Sequence, residues 1–254
     1  MTASQLRQEA RANLTGKWGK GALITLCYFL IMWAISFVLA FIPMLGSIAS
    51  MAISIPISYG LICSFMKLKR NEEVSYTGFL NYGFNSFAKS WAVAGNILLK
   101  MIIPIVVLIV AMVLMSAGIF AGSAAALSGS SSSAGMSALA VISTILYIVA
   151  YVWIIVKSFL YVLAYYILFD NKDMSGKEIV EKSAELMKGH RWAYFWLSLS
   201  FIGWAILAAF TFGIGYFWLA PYMMIATIFF YENLAEKSDV NPVKEENVEA
   251  IEEQ

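Results

Sequence analysis

Six long runs of apolar residues divide the chain, and shorter polar or charged stretches connect them. A helix that crosses the hydrocarbon core of a bilayer needs about 20 mostly apolar residues, and each run has roughly that length or more. The pattern therefore predicts an all-α polytopic membrane protein with six transmembrane helices. The predicted spans are Ala22–Phe41, Met44–Met66, Met101–Ala121, Ala138–Phe169, Ala193–Thr211 and Tyr216–Leu234.

The connections between the predicted spans differ in charge. Fifteen of the 17 Lys and Arg residues lie before the first span, between the second and third, between the fourth and fifth, or after the sixth. These four stretches share one side of a six-span topology, and the connections on the other side carry neither basic nor acidic residues. Because cytoplasmic loops hold the excess of Lys and Arg, the pattern predicts that both termini are cytoplasmic.

The end of the chain has a different composition from the rest. Residues 235–254 contain seven acidic residues, two lysines and no aromatic residue. A segment with few apolar groups and a strong net charge cannot bury enough surface to fold alone. The sequence therefore predicts a membrane domain over residues 1–234, followed by an acidic, disordered cytoplasmic tail.

Three segments on the predicted cytoplasmic side have patterns typical of amphipathic helices in the membrane interface. In Ser4–Lys17, apolar residues recur every four positions, opposite two arginines. Between the second and third spans, aromatic residues alternate with polar ones from Phe79 to Trp91. Ahead of the fifth span, Ser175 and Glu178 have the spacing of a capping box, which predicts the start of a helix.

The composition agrees with a membrane protein and excludes several kinds of site. Hydrophobic residues make up 61% of the chain and charged residues 13%, whereas soluble domains carry about 25% charged residues. The single histidine, His190, excludes a multi-histidine metal site, and Cys27 and Cys63 form no C-x-x-C pair. A net charge of +1 provides no basic field for nucleic acid. We therefore expect no cofactor, no metal and no nucleic-acid partner.

Lys157 is the candidate functional residue within the membrane, because it lies inside the longest apolar run. That run, Ala138–Phe169, exceeds one membrane crossing by about a third. If the span is centred near Lys157, a buried ammonium group marks a functional site. If the span ends there, the ammonium group reaches the interface along its aliphatic stem, and the following residues form a juxtamembrane extension.

Lys188, His190 and Arg191 are candidate contacts for lipid headgroups, because they immediately precede the fifth span. Basic clusters at the inner surface bind lipid phosphates. Ordinary positive-inside anchoring explains Lys188 and Arg191 equally well. No nucleophile motif, Gly-rich phosphate loop or metal-spaced carboxylates accompany them, so the sequence predicts no catalytic residue.

Three stretches of the chain carry a combined pattern. They are Arg7-x-x-Ala10-Arg11-x-x-Leu14 ahead of Trp18, the stretch from Ser183 through Met187-Lys188-Gly189-His190 to Trp204, and the run from Thr211 through Pro221-Tyr222 to Phe230-Tyr231. Together they resemble a family of bacterial integral membrane proteins, mostly from Gram-positive species, that is catalogued as domain of unknown function nine-seven-five. The resemblance covers nearly the whole chain except the acidic tail. It implies a six-span domain in the bacterial cell membrane, and it implies neither an activity nor catalytic residues.

These observations favour a non-enzymatic accessory or scaffolding protein that acts at the inner leaflet, through lipid or a membrane-protein partner. The concentration of charge and amphipathic segments on one side motivates this hypothesis. The alternative is a transporter of an apolar or lipid-like substrate. Three features motivate it: Lys157, three prolines within the spans, and a small, mildly polar face of the second span. The prolines are Pro56, Pro104 and Pro221, and the small face consists of Gly46, Ser50, Ser54 and Ser58.

Overall fold

The computed structural model describes residues 1–42, 45–127 and 133–238 of the chain. Within these ranges the regular elements are eleven α-helices and one short 3₁₀ turn, without strands. The all-α prediction is therefore confirmed for the described residues. The elements are α1 (Ala3–Leu14), α2 (Trp18–Ala40), α3 (Leu45–Lys69), α4 (Gly78–Asn85), α5 (Phe87–Leu127), α6 (Ser133–Ser158), the 3₁₀ turn (Phe159–Tyr161), α7 (Ala164–Asp170), α8 (Gly176–Leu186), α9 (Arg191–Leu199), α10 (Ile202–Phe210) and α11 (Tyr216–Ala235).

Five helical stretches are long and apolar enough to cross a membrane, by length and composition. They are Trp18–Ala40, Leu45–Lys69, Phe87–Ala124, Ala140–Asp170 and Arg191–Phe210. Each overlaps most of one of the first five predicted spans, and the largest difference is in α5, which begins at Phe87 rather than at Met101. The sixth predicted span corresponds to α11, which is not among these five stretches. Its sequence includes Tyr, Pro, Glu and Asn residues, which make it less apolar.

The chain divides into two compact units, and the larger one contains residues Met1–Ala94 together with the chain from Val162 onward. Its centre is α11, which packs against α1, α2, α3 and α10. Ten of the 20 residues of α11 are buried. Because α11 faces protein over much of its surface, its side chains need not be as apolar as those of a lipid-facing helix.

Burial in α2 and α3 is concentrated at one end of each helix. In α2 the buried residues lie between Gly21 and Thr25, whereas Phe37 and Phe41 at the other end are 55% and 74% exposed. In α3 nearly all the buried residues lie between residues 56 and 68. The packed ends are the start of α2 and the end of α3, and both lie next to the basic residues that flank these helices in the sequence. The opposite ends expose large apolar side chains, as expected of surfaces that face a membrane.

The apolar stripe of α1 packs on protein. Leu6, Ala10 and Leu14 are at most 2% exposed, and α1 packs against α11 and α9. The prediction that this stripe faces lipid is therefore wrong for these three side chains. The periodicity of the sequence shows that one face is apolar, but it cannot distinguish a protein partner from a bilayer.

The C-terminal end of α3 is capped by groups from α1 and the residues after it. Lys17 Nζ donates to the carbonyl of Leu68 at 3.2 Å, and Asn13 Nδ2 donates to the carbonyl of Lys69 at 3.1 Å. Asn71 adopts a left-handed conformation, with φ of 62°, as is common just beyond a helix end. A cation beside the last carbonyls also opposes the negative end of the helix dipole.

The helices α3 and α4 cross so closely that only glycine fits at the contact. A Cβ atom at Gly60 would lie 2.8 Å from the carbonyl carbon of Phe79, and one at Gly83 would lie 2.8 Å from the carbonyl carbon of Pro56. Phe79 is fully buried. The segment Phe79–Trp91, predicted as one interfacial helix, is thus divided between α4 and α5, and its first aromatic ring contacts protein.

The predicted start of α8 is confirmed. The Ser175 hydroxyl accepts a hydrogen bond from the Glu178 amide at 3.3 Å, and the Glu178 carboxylate accepts one from the Ser175 amide at 2.8 Å. This reciprocal pair is a capping box. Hydrogen bonds from the backbone amide and the hydroxyl of Ser175 to the Glu178 carboxylate hold the pKa of that carboxyl below its ordinary value.

The second unit, Gly95–Tyr161, contains most of α5 and α6. A Cβ atom at Gly118 would lie 3.1 Å from Cα of Ala140, and Ala111 and Ala150 are buried. Small residues allow two helix backbones to approach closely. Most large apolar side chains of this unit are exposed, which is typical of lipid-facing helices.

Several predicted connections differ from the structure or lie outside it. The uncharged, Gly/Ser-rich stretch from Gly122 to Ser137 connects the third and fourth predicted spans, and its composition predicts a loop. In the structure it is helical up to Leu127 and again from Ser133. That prediction is wrong at both ends, and at the first end the three consecutive alanines before Leu127 favour helix. The middle of this loop, the turn at Pro43 and the acidic tail beyond residue 238 lie outside the described residues.

Candidate functional site

A pocket beside α8, the start of α9 and the end of α11 contains two of the three candidate headgroup residues. We call it the basic pocket, and its volume is about 390 Å³. Three lysines and the histidine face a single carboxylate in its lining, so the pocket favours an anion. Its lining residues are Lys182, Glu185, Leu186, Lys188, His190, Leu234, Lys237 and Ser238.

The turn between α8 and α9 positions these side chains. Gly189 has φ of +80°, a conformation that glycine adopts without strain. The backbone amide of His190 donates to the carbonyl of Met187 at 3.2 Å, which closes the turn. Lys188 and His190 are exposed at this turn, whereas Arg191 is half-buried and does not line the pocket. The structure therefore joins Lys188 with His190 and places Arg191 outside the lining.

The basic pocket also contains a carboxylate, an imidazole and a hydroxyl group, the residue types of a hydrolytic triad. The hydroxyl of Ser238 donates to the carbonyl of Leu234 at 3.0 Å. The hydroxyl proton is therefore directed at the helix backbone. The Ser238 hydroxyl makes no hydrogen bond to His190 in the part of the chain that the structure describes. A nucleophile must be within hydrogen-bond reach of its base, so this arrangement favours anion binding over covalent catalysis.

Lys157 lies in the last turn of α6, next to the helix end at Ser158. Its side chain is half-buried, and its Nζ is 6.0 Å from the centroid of the Trp153 ring. The regular α-helix ends at Ser158, and the chain continues through the 3₁₀ turn into α7. The break one residue after Lys157 favours the alternative in which the span ends there and the ammonium group reaches the interface, and the depth of Lys157 in a bilayer stays a prediction.

The small face of the second span is used for packing. The hydroxyl groups of Ser58 and Tyr28 are 3.0 Å apart and share a hydrogen bond, and the Ser54 hydroxyl donates to a carbonyl of its own helix. A Cβ atom at Gly46 would lie 2.9 Å from the carbonyl carbon of Leu39. The face therefore joins α2 to α3, and it gives less support to a polar transport path than the sequence suggested.

A cluster of charged residues that sequence reasoning missed joins the ends of α3, α7 and α11. We call it the ion network. Arg70 Nη2 is 2.7 Å from Asp170 Oδ1, Lys69 pairs with Glu232, and the hydroxyl of Tyr231 donates to Asp170 Oδ2 at 3.0 Å. The side chain of Asp170 is only 11% exposed.

The ion network fixes the last turns of α11, which carry Leu234 of the basic pocket and lead directly into its lining residues Lys237 and Ser238. Sequence reasoning assigned Lys69 and Arg70 to positive-inside anchoring alone. The available signal was Glu232, an acidic residue near the end of an otherwise apolar run. An acidic residue at that position requires a partner when it is partly buried.

The comparisons with known proteins assign a family and no activity. The family described as Protein of unknown function (DUF975) matches residues 1–238, which include every residue of the basic pocket and of the ion network. Neither the curated proteins nor the solved structures gave a match to the chain. The chain therefore belongs to the DUF975 family of proteins of unknown function.

Proposed function

We propose that this protein is a non-enzymatic membrane protein that binds anionic lipid headgroups at the inner leaflet, in an accessory or scaffolding role. The observation that carries the proposal is the basic pocket. Its three lysines and His190 face only one carboxylate, Glu185, among the described residues. Basic residues near an anionic membrane surface each contribute about 1 kcal/mol of attraction.

The proposal includes six spans with both termini in the cytoplasm of a bacterial cell. The five apolar helices support five spans, and α11 supplies the sixth, because its 20 residues match the length that a bilayer requires. The basic residues support the orientation, since nearly all of them fall on one side of this topology. This orientation directs the basic pocket toward the inner headgroups.

Cysteine labelling in intact cells tests the topology. Cys27 and Cys63 are first replaced by alanine, and single cysteines are then introduced at Leu127 and Lys177. Leu127 is 91% exposed at the end of α5, and Lys177 is exposed near the start of α8. A membrane-impermeant maleimide should label Leu127→Cys in intact cells and Lys177→Cys only after permeabilisation. Labelling of both from the outside would refute the six-span orientation.

Lipid analysis tests the binding function. The full chain is extracted into native nanodiscs, and the lipids that accompany it are quantified by mass spectrometry against the bulk membrane. We expect anionic lipid to be enriched around the wild type, and the enrichment to fall when Lys182, Lys188 and Lys237 are all replaced by glutamine. Lys177→Gln is the matched control, because Lys177 lies on the same helix as Lys182 but outside the pocket.

Two results of this experiment would contradict the proposal. The first is equal enrichment in the triple variant and the wild type, which would mean that the basic pocket does not select the lipid. The second is a stoichiometric protein partner with no selective lipid enrichment. That result would assign the accessory role to a protein contact, the other branch of the sequence-based hypothesis.

A further inference from the structure

The basic pocket adjoins the start of the acidic tail. Helix α11 ends at Ala235, and the amide and the hydroxyl of Ser238 both donate to the carbonyl of Leu234, at 3.2 Å and 3.0 Å. These two hydrogen bonds hold Ser238 against the last turn of α11, in the lining of the pocket. The chain therefore enters the acidic tail at the wall of the pocket.

The positive charge of the basic pocket has no counterion in the described part of the chain. The ion pairs found there do not include Lys182, Lys188 or Lys237. Glu185 is the one carboxylate in the lining, and it pairs with none of the three lysines. The lining thus has three ammonium groups against one carboxylate, a net charge of +2 with His190 neutral. A concave site with such an excess attracts an anion.

The acidic tail carries the complementary charge within reach of the pocket. Residues 239–254 contain six acidic residues and one lysine, a net charge of −5. Glu245 follows Ser238 by seven residues, and seven residues span at most roughly 25 Å. A short tether keeps the groups that it carries at about millimolar effective concentration near its attachment point. The carboxylates of the tail are therefore favoured over those of a separate protein as occupants of the pocket.

We infer that residues 239–249 of the tail occupy the basic pocket and compete there with anionic lipid headgroups. The tail carboxylates pair with Lys182, Lys188 and Lys237, and a lipid phosphate enters when it displaces them. An anionic bilayer attracts the basic pocket and repels the tail, so the exchange shifts toward lipid as the anionic content of the inner leaflet rises. The inference rests on the proposed function, because it concerns the regulation of the same site.

Disulfide cross-linking of the full chain tests the contact itself. Cys27 and Cys63 are replaced by alanine, and Glu185→Cys is combined with Asn247→Cys, which leaves the lysines of the pocket in place. In phosphatidylcholine nanodiscs with copper phenanthroline as the oxidant, this pair should form its intramolecular disulfide about tenfold faster than the control pair, because docking raises the local concentration of the two thiols. The control combines Asn247→Cys with Asp173→Cys, which removes one exposed carboxylate outside the pocket lining.

Three results of the cross-linking experiment would overturn the inference. Equal rates for the two pairs would mean that the tail does not prefer the pocket. Disulfides formed between two chains would assign the pocket to the tail of a second copy. The inference also requires phosphatidylglycerol to slow the reaction of the pocket pair, since the two anions compete, and an unchanged rate in nanodiscs that contain this lipid would refute the competition.

Lipid retention measures the competition from the side of the lipid. The full chain is purified in mixed micelles with equal amounts of phosphatidylglycerol and phosphatidylcholine, and the retained lipids are counted by native mass spectrometry. Replacement of both Glu245 and Glu246 by glutamine should raise the retention of phosphatidylglycerol about fivefold, which corresponds to about 1 kcal/mol. Glu73→Gln with Asp173→Asn is the matched control, because it removes two exposed acidic residues outside the pocket, and it should retain lipid as the wild type does.

The gain in retention must depend on the basic pocket. When Lys182, Lys188 and Lys237 are also replaced by glutamine, the tail variant should retain no more phosphatidylglycerol than the lysine variant alone. A gain that persisted without the lysines would indicate general repulsion between the tail and the lipid, and would refute the inference. Equal retention by the wild type and the tail variant, with a loss in the lysine variant, would refute the competition and leave the proposed function intact. A failure of both the wild type and the tail variant to select phosphatidylglycerol would overturn the proposed function and the competition together.

Discussion

Replacement of Asp170 by alanine should destabilise the protein by about 2–4 kcal/mol, because Asp170 holds together two other members of the ion network. Its carboxylate accepts from Arg70 at 2.7 Å and from the Tyr231 hydroxyl at 3.0 Å. A hydrogen bond to a charged group contributes about 1.5–3 kcal/mol, and a buried hydroxyl that loses its partner costs about 1–3 kcal/mol. The Arg70 side chain is 30% exposed, so water and Glu232 compensate part of its loss.

Reversible unfolding in mixed detergent micelles measures this effect. The eight tryptophans of the chain provide the fluorescence signal. A double-mutant cycle with Tyr231→Phe isolates the hydrogen bond between Tyr231 and Asp170, and we expect a coupling free energy of about 1 kcal/mol. Asp173→Ala is the matched control, since Asp173 is exposed and its loss should change the free energy of unfolding by less than about 0.5 kcal/mol.

The reasoning would be refuted if Asp170→Ala were no more destabilising than Asp173→Ala. That result would mean that water replaces the carboxylate without a net loss. A large effect of Asp170→Ala with no coupling to Tyr231→Phe would be a narrower failure. It would assign the whole effect to Arg70 and none to the hydroxyl group.

Two further predictions concern the packing of α3 and the start of α8. Gly60→Ala should destabilise the fold by several kcal/mol, because the added methyl group meets the backbone at Phe79. Gly95→Ala is the control, because no atom lies within 4 Å of the added methyl group, and it should raise the free energy of unfolding by up to about 1 kcal/mol. Equal stability of the two variants in a thermal melt would contradict the close crossing of α3 and α4. The pKa of Glu178 is lowered in the folded state by its hydrogen bonds to Ser175, so its contribution to α8 is present at neutral pH and is lost as the pH falls through that lowered pKa. Hydrogen exchange of the α8 peptide, corrected for intrinsic rates, should therefore accelerate at acidic pH in the wild type, and Glu178→Ala should show little further change.

The sequence predicted the parts of the site that depend on local order along the chain. Lys188 and His190 are two residues apart, so their association in one pocket required only the turn at Gly189. The capping box at Ser175 is local in the same way, because its two hydrogen bonds join residues three positions apart. The pairing of Arg70 with Asp170 joins residues 100 positions apart, and no local pattern contains that information.

The environment of the Tyr222 hydroxyl also could not be predicted from the sequence. Tyr222 belongs to a run that reads as an ordinary span. Only the packing of Trp18, Phe201 and Arg11 around the ring shows that the hydroxyl is buried without a hydrogen-bond partner among the described residues. The contact between Arg11 and Tyr222 required α1 to lie against α11, and the periodicity of α1 is equally compatible with a lipid surface.

The sequence by itself determined that the protein is helical, that its helices are apolar enough to cross a membrane, and where its basic residues lie between them. These properties follow from run length and composition, because the bilayer imposes the same length and polarity on every span. The tertiary structure decided which apolar faces meet protein and which remain exposed. It made α11 the packed centre of the larger unit and buried the stripe of α1 that appeared suited to lipid. The physical reason is that protein and hydrocarbon are both apolar surroundings, so hydropathy cannot distinguish them, whereas close approach, capping and ion pairing are properties of specific contacts.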